Sequence, residues 1–173
     1  LAAAASNDHC VRVRLQDLSA ATTYFYRFLV EIEGEMFVSR TGRTKTAPAP
    51  DADVSVRFAY VSCQDYNGRY YNPYVRMAEE DLDFVVHLGD YVYETTGNPE
   101  FQATEGRRVD FTAKEEAIVF YEGEESEYHA AKSISNYRDL YKTYRADTAV
   151  QRIHERFPMI CIWDDHEFSN DAF

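Results

Sequence analysis

The sequence predicts an α/β fold behind a short all-β section. Three apolar runs carry that reading: Val56–Val61, Leu82–Leu88 and Pro158–Trp163 each have the length of a buried strand. Each run ends in polar chemistry. The first gives Ser62-Cys63-Gln64-Asp65, the second Gly89-Asp90-Tyr91-Val92-Tyr93-Glu94, and the third Asp164-Asp165-His166-Glu167. Ligands gather outside the carboxyl ends of strands in open α/β sheets, so the three ends point to one shared site.

Taken in order, the chain opens on β patterning. Val11–Leu15 alternates with period two, Thr22–Ile32 is rich in aromatic and β-branched residues, and Glu35–Ser39 follows Gly34. Three such strands cannot close a sandwich, so residues 1–48 read as the last part of a β-sandwich domain. Ala47-Pro48-Ala49-Pro50-Asp51-Ala52 is a stiff linker and marks a boundary, with a second domain over 53–173. In that domain Asn72-Pro73 supplies an N-cap and a proline at the first helical position, for a helix running to about Glu80. With its flanking strands this helix makes a βαβ unit with a right-handed crossover. Residues 97–133 hold nine acidic and four basic side chains with little apolar periodicity. They read as a solvated acidic insertion with a short helix near Lys114–Tyr121, and Glu124–Glu127 as a solvated charge run. Ile134, Tyr137, Tyr141 and Tyr144 recur at helical spacing, and Asp147 is placed to cap a further helix ending before Pro158.

Charge narrows the function. Residues 1–50 carry 6 basic and 5 acidic side chains, whereas residues 51–173 carry 12 and 25, a net of −13. Binding nucleic acid through phosphate contacts needs a basic face, which this distribution does not offer. A phosphate substrate stays compatible, because bound cations invert the local field. No run of about 18 apolar residues supports a membrane span. Cys10, Cys63 and Cys161 are odd in number and far apart, so they imply no disulfide framework, and Cys161 reads as a small core residue.

The strand ends suggest metal chemistry. Gly89 lets the backbone turn sharply and leaves the Asp90 carboxylate outward, suited to bridging two hard cations. Gly-Asp is also an ordinary turn, and Asp90 gains weight only beside its neighbours. Tyr93 lies three residues on, and phenolate ligation calls for a strongly Lewis-acidic ion such as Fe³⁺. Cys63 adds a soft thiolate, which favours a transition metal over magnesium or calcium alone. Asp165 is a candidate ligand for a second metal, and His166 a candidate proton donor to a leaving group. His87 alternates within an apolar strand and reads as a satisfied core histidine. His9, His129 and His154 fall in segments expected to be exposed or helical and receive no role. The residues alone support a metal-dependent hydrolase of an anionic ester. A non-enzymatic calcium-binding or adhesion-type module uses the same carboxylates, but gives no reason for Cys63 and Tyr93 to accompany Asp90.

Three blocks carry a family resemblance, and they occur in the family's order. They are Ser62-Cys63-Gln64, Met77–Glu94, and Tyr137–Asp147 leading through Phe157-Pro158 to Trp163-Asp164-Asp165-His166-Glu167. Together they resemble the alkaline phosphatase D (PhoD-like) family of metallophosphatases. The resemblance implies the N-terminal half of a calcineurin-like metallophosphatase α/β sandwich, preceded by the last strands of an immunoglobulin- or fibronectin-like β-sandwich. It further implies Fe³⁺ held by Cys63, Asp90 and Tyr93, with Ca²⁺ beside Asp90 and other divalent metals compatible. Asp165 would be a metal ligand, Asp164 an additional contact and His166 the catalytic histidine. The implied activity is hydrolysis of phosphomonoesters or phosphodiesters, in a monomer with a periplasmic, secreted or cell-surface setting. Members of this family carry further metal ligands on later strands. A chain ending at Phe173 is therefore expected to be an internal fragment, poorly soluble and with no turnover above a Cys63→Ala control.

Overall fold

The structure is a computed structural model that describes residues 1–103, 105–122 and 126–172. Glu124 and Glu125, part of the expected solvated charge run, lie outside the described residues. The first 48 residues form two separate two-stranded sheets. β1 (Thr23–Tyr26) pairs antiparallel with β4 (Gly42–Lys45), and β2 (Leu29–Ile32) pairs antiparallel with β3 (Glu35–Val38). Glu33 and Gly34, at φ 53° and 85°, make the two-residue turn that matches hairpin twist. The expected continuous strand over Thr22–Ile32 breaks at Arg27-Phe28, where the chain changes partner from β4 to β3. Val11–Leu15 forms no strand, because alternation needs a paired neighbour and it has none among the described residues.

The second section is mixed α/β. β5 (Phe58–Val61), β6 (Phe84–His87) and β10 (Met159–Cys161) form a parallel sheet with β6 in the centre. α1 (Asn72–Met77) crosses from β5 to β6. It is shorter than expected, and its N-cap is Tyr71 with no side-chain cap, so Asn72 already lies inside the helix. α2 (Ile134–Ala146) and α3 (Thr148–Arg156) follow as the spacing predicts, with Ser133 and Asp147 as N-caps. Their apolar residues Leu140, Tyr144, Val150 and Ile153 join Tyr74 of α1 and Val85 of β6 in the core. Strand alternation puts Val61, Val85 and Met159 on that face. On the opposite face Phe58, Tyr60 and Ile160 are more than half exposed.

Residues 97–133 are more ordered than their charge suggests. β8 (Ile118–Glu122) and β9 (Ser126–Ala130) form a hairpin, to which β7 (Thr95–Thr96) adds a third strand. Of the helix expected near Lys114–Tyr121, Lys114–Glu116 alone is helical, as a single 3₁₀ turn. Val109 and Phe111 enter the main core, and His129, assigned no role from sequence, is buried. Helix α3 carries the β section: Arg40 pairs with Glu155 at 2.9 Å and Arg43 donates to the Arg156 carbonyl at 3.2 Å. Lys45 of β4 also pairs with Asp83, just before β6. Among the described residues no helix is long and apolar enough to cross a membrane.

Candidate metal centre

The three parallel strand ends converge, and backbone bonds fix how. Cys63 N donates to Gly89 O at 3.1 Å and Gln64 N to Asp90 O at 3.0 Å, tying the first end to the second. Gly89 turns at φ 108°, and a β-carbon there would lie 2.6 Å from Asp164 N, so only glycine lets the third end cross so closely. Cys63 and Asp90 both adopt left-handed backbone, at φ 57° and 54°. Non-glycine residues avoid that region, and such strain gathers at functional sites.

Asp90 is the hub. Its Oδ2 accepts from Cys63 Sγ at 3.3 Å and from the Tyr93 hydroxyl at 3.2 Å. Its Oδ1 is buried without a partner among the described residues. An unpaired carboxylate oxygen is costly to bury, and a cation is a natural partner for it. Ligand atoms of Asp90, Asp165 and His166 also lie within 4.8 Å of one another. The donor set of thiol, phenol, imidazole and two carboxylates thus fits a mixed transition-metal and hard-cation site. Burial raises the Tyr93 phenol above its usual range, and Cys63 and the Asp90 charge push it the same way. Its phenolate therefore needs a cation to form. Asp164 is exposed, and its polar link to the site is its backbone N–H.

His166 and two glutamates complete the arrangement. His166 Nδ1 donates to Glu94 Oε2 at 2.7 Å, and Glu94 Oε1 accepts Asn170 N at 2.8 Å. Burial pulls the imidazole down, but Glu94 and the charges of Asp90 and Asp165 outweigh it and hold the group above its ordinary value. The buried Glu167 carboxylate accepts backbone N–H groups from both sides of the site. Glu94 and Glu167 had no assigned role, and the available signal was two carboxylates adjoining Tyr93 and His166. A further buried carboxylate, Asp65, accepts the Tyr144 hydroxyl at 3.2 Å, and that hydroxyl accepts Tyr93 N at 3.2 Å. His87 is fully buried as expected but not satisfied. Its Nδ1 accepts Gly89 N at 3.3 Å while Nε2 has no partner among the described residues. Cys161, expected in the core, is exposed on the short outer strand β10.

Comparison with known proteins gives this arrangement a lineage. The PhoD-like phosphatase family matches residues 58–173, and the N-terminal domain of PhoD-like phosphatases matches residues 1–48. Alkaline phosphatase D of Bacillus subtilis (strain 168) is 37% identical over 164 residues, covering 94% of this chain and 25% of that protein. The solved structure of PhoD superposes with a TM-score of 0.78 at 36% identity, covering 98% of this chain and 29% of that one. The chain thus spans about a quarter of the length of the curated relative. With the match running through all three strand ends, the chain belongs to the PhoD-like phosphatase family.

Proposed function

We propose that the chain carries the metal-binding first part of a phosphate-ester hydrolase acting on phosphomonoesters, phosphodiesters or both. The observation that carries this reading is Asp90, with one oxygen shared by Cys63 and Tyr93 and the other buried without a partner among the described residues. Fe³⁺ would be held by Cys63, Asp90 and Tyr93. Ca²⁺ would be held by Asp90 and Asp165, with Asp164 nearby. Bound there, the cations would supply Lewis acidity, neutralising phosphoryl charge and making a bound water acidic.

The chain's own groups do the rest. Glu94 fixes the His166 ring through Nδ1, so that Nε2 would be the nitrogen that transfers a proton. An imidazolium held above its ordinary pKa is suited to donate its proton to the leaving oxygen of an ester. Glu94 stabilises that cation before the transfer and orients the ring after it. The net charge of −13 over residues 51–173 repels a free phosphate ester, so the cations govern substrate affinity as well as chemistry.

The sheet would be the first half of a calcineurin-like α/β sandwich over 53–173, with residues 1–48 ending an immunoglobulin- or fibronectin-like domain. In a polypeptide of the relatives' full length, the enzyme would work as a monomer outside the cytoplasm. The deciding test is metal content with a visible spectrum on such a polypeptide carrying these residues, beside its Tyr93→Phe variant. Iron with a charge-transfer band that the variant loses is the expected result. Calcium alone, with no band, would refute the ferric site and favour a calcium-binding module.

A further inference from the structure

We propose that Glu167 is a positioning residue that joins the second and third strand ends, acting through backbone amides and not as a metal ligand. The inference rests on the metal-site reading above. The backbone ladder between β6 and β10 ends with Ile162 N donating to His87 O at 3.0 Å. Beyond it the ladder stops, and the Asp164 backbone crosses close to Gly89. The N–H groups of Asp90, Tyr91 and Asp164 then have no carbonyl to bond.

Glu167, 7% exposed, takes all three. Oε2 accepts Asp90 N at 3.0 Å and Asp164 N at 2.8 Å, while Oε1 accepts Tyr91 N at 2.5 Å. Three donors on two oxygens require an acceptor at both ends of the side chain. A carboxylate provides that, and its charge strengthens each bond. A glutamine would turn an NH₂ group against one of the amides, and an aspartate is one methylene short.

Each end of this clamp lies against a functional group. On one side it holds Asp90 in its left-handed backbone conformation. On the other, Asp164 and Glu167 bracket Asp165 and His166, whose turn is closed by Phe168 N and Ser169 N on Asp165 O, both at 2.8 Å. The ligand atoms of Asp90, Asp165 and His166 come together without Glu167. Glu167 therefore adds negative charge beneath the site, and its own oxygens are committed to the backbone.

Amide hydrogen exchange by NMR on a metal-free polypeptide of the relatives' full length carrying these residues tests the clamp. The amides of Asp90, Tyr91 and Asp164 lie outside the helices and strands, yet should exchange at least about tenfold more slowly than unbonded loop amides. Glu167→Gln and Glu167→Asp should remove that protection at all three while α2 amides are unchanged. On the loaded protein, calcium titration and the ferric charge-transfer band should report about 10- to 100-fold weaker binding in both variants. Unprotected amides in the unsubstituted chain overturn the clamp, a measurement that does not depend on the variants folding. Unchanged exchange and metal affinity in a folded Glu167→Gln protein overturn it as well. Protection that Glu167→Gln abolishes, in a protein binding neither cation, supports the clamp and overturns the metal-site reading.

Discussion

Gly89 sits where the backbone of one strand end crosses another, and it has no room for a side chain. Alanine there would combine an unfavourable positive φ with a close approach to Asp164. The backbone term is roughly 1–2 kcal/mol and the overpacking about 1–3 kcal/mol. Gly89→Ala is therefore expected to lower unfolding free energy by about 2–5 kcal/mol, read as a lower urea midpoint at unchanged slope. An unshifted midpoint would contradict the crossing. At this scale the ligand candidates were legible, because Cys63, Asp90, Tyr93, Asp165 and His166 all follow apolar runs. Glu94 and Glu167 were not. What a carboxylate does depends on which donor reaches it, and their partners lie 72 and 77 residues away in sequence.

Among the elements, α2 and α3 were readable because their stop and start signals are local. Ser133 and Asn136 form a reciprocal capping box, and Asp147 accepts from Ala149 N at 2.8 Å and Val150 N at 3.2 Å. Asp147 has a second task that sequence could not reveal. It pairs with Arg107, whose guanidinium lies 4.1 Å from the centre of the Tyr66 ring and 4.6 Å from that of Tyr71. Asp147→Ala should thus cost more than a cap. About 1 kcal/mol for the cap and a further few for an unpaired buried cation give roughly 2–4 kcal/mol. Chemical denaturation checks this, and a loss under about 0.5 kcal/mol would contradict the pairing. Segment 97–133 misled for the complementary reason. Its hairpin leaves Ile118, Val119, Phe120 and Tyr121 exposed, while Val109 and Phe111, the residues that anchor the segment, stand outside any regular period.

For the molecule as a whole, two neutral histidines set the acid limit. Burial holds both His87 and His154 down at about 4, with Arg145 and His87 adding to the effect at His154. His154 Nε2 lies 2.8 Å from the Tyr91 hydroxyl. The unfolded chain binds protons at these histidines from about pH 6.5, whereas the folded chain resists until about pH 4. The share of stability due to these two histidines should accordingly be flat above pH 7, fall between about 6.5 and 4, and level out below. His154 alone accounts for on the order of 3 kcal/mol of that fall, so His154→Gln should flatten the slope if it folds normally. A slope equal to that of the unsubstituted chain would contradict its burial as a neutral ring. The α/β class was legible from the three strand ends, whereas the exposed apolar face was not, since alternation does not say which side a sheet covers. The join at Glu167 also has a temporal consequence. Because Asp90 and Glu167 are 77 residues apart, the contact closes a long loop and pays its entropy late. During synthesis Cys63, Asp90 and Tyr93 leave the ribosome as loose donors well before Glu167 exists. In the proposed metal site, discrimination among cations by the finished geometry would begin only once the chain has grown past β10.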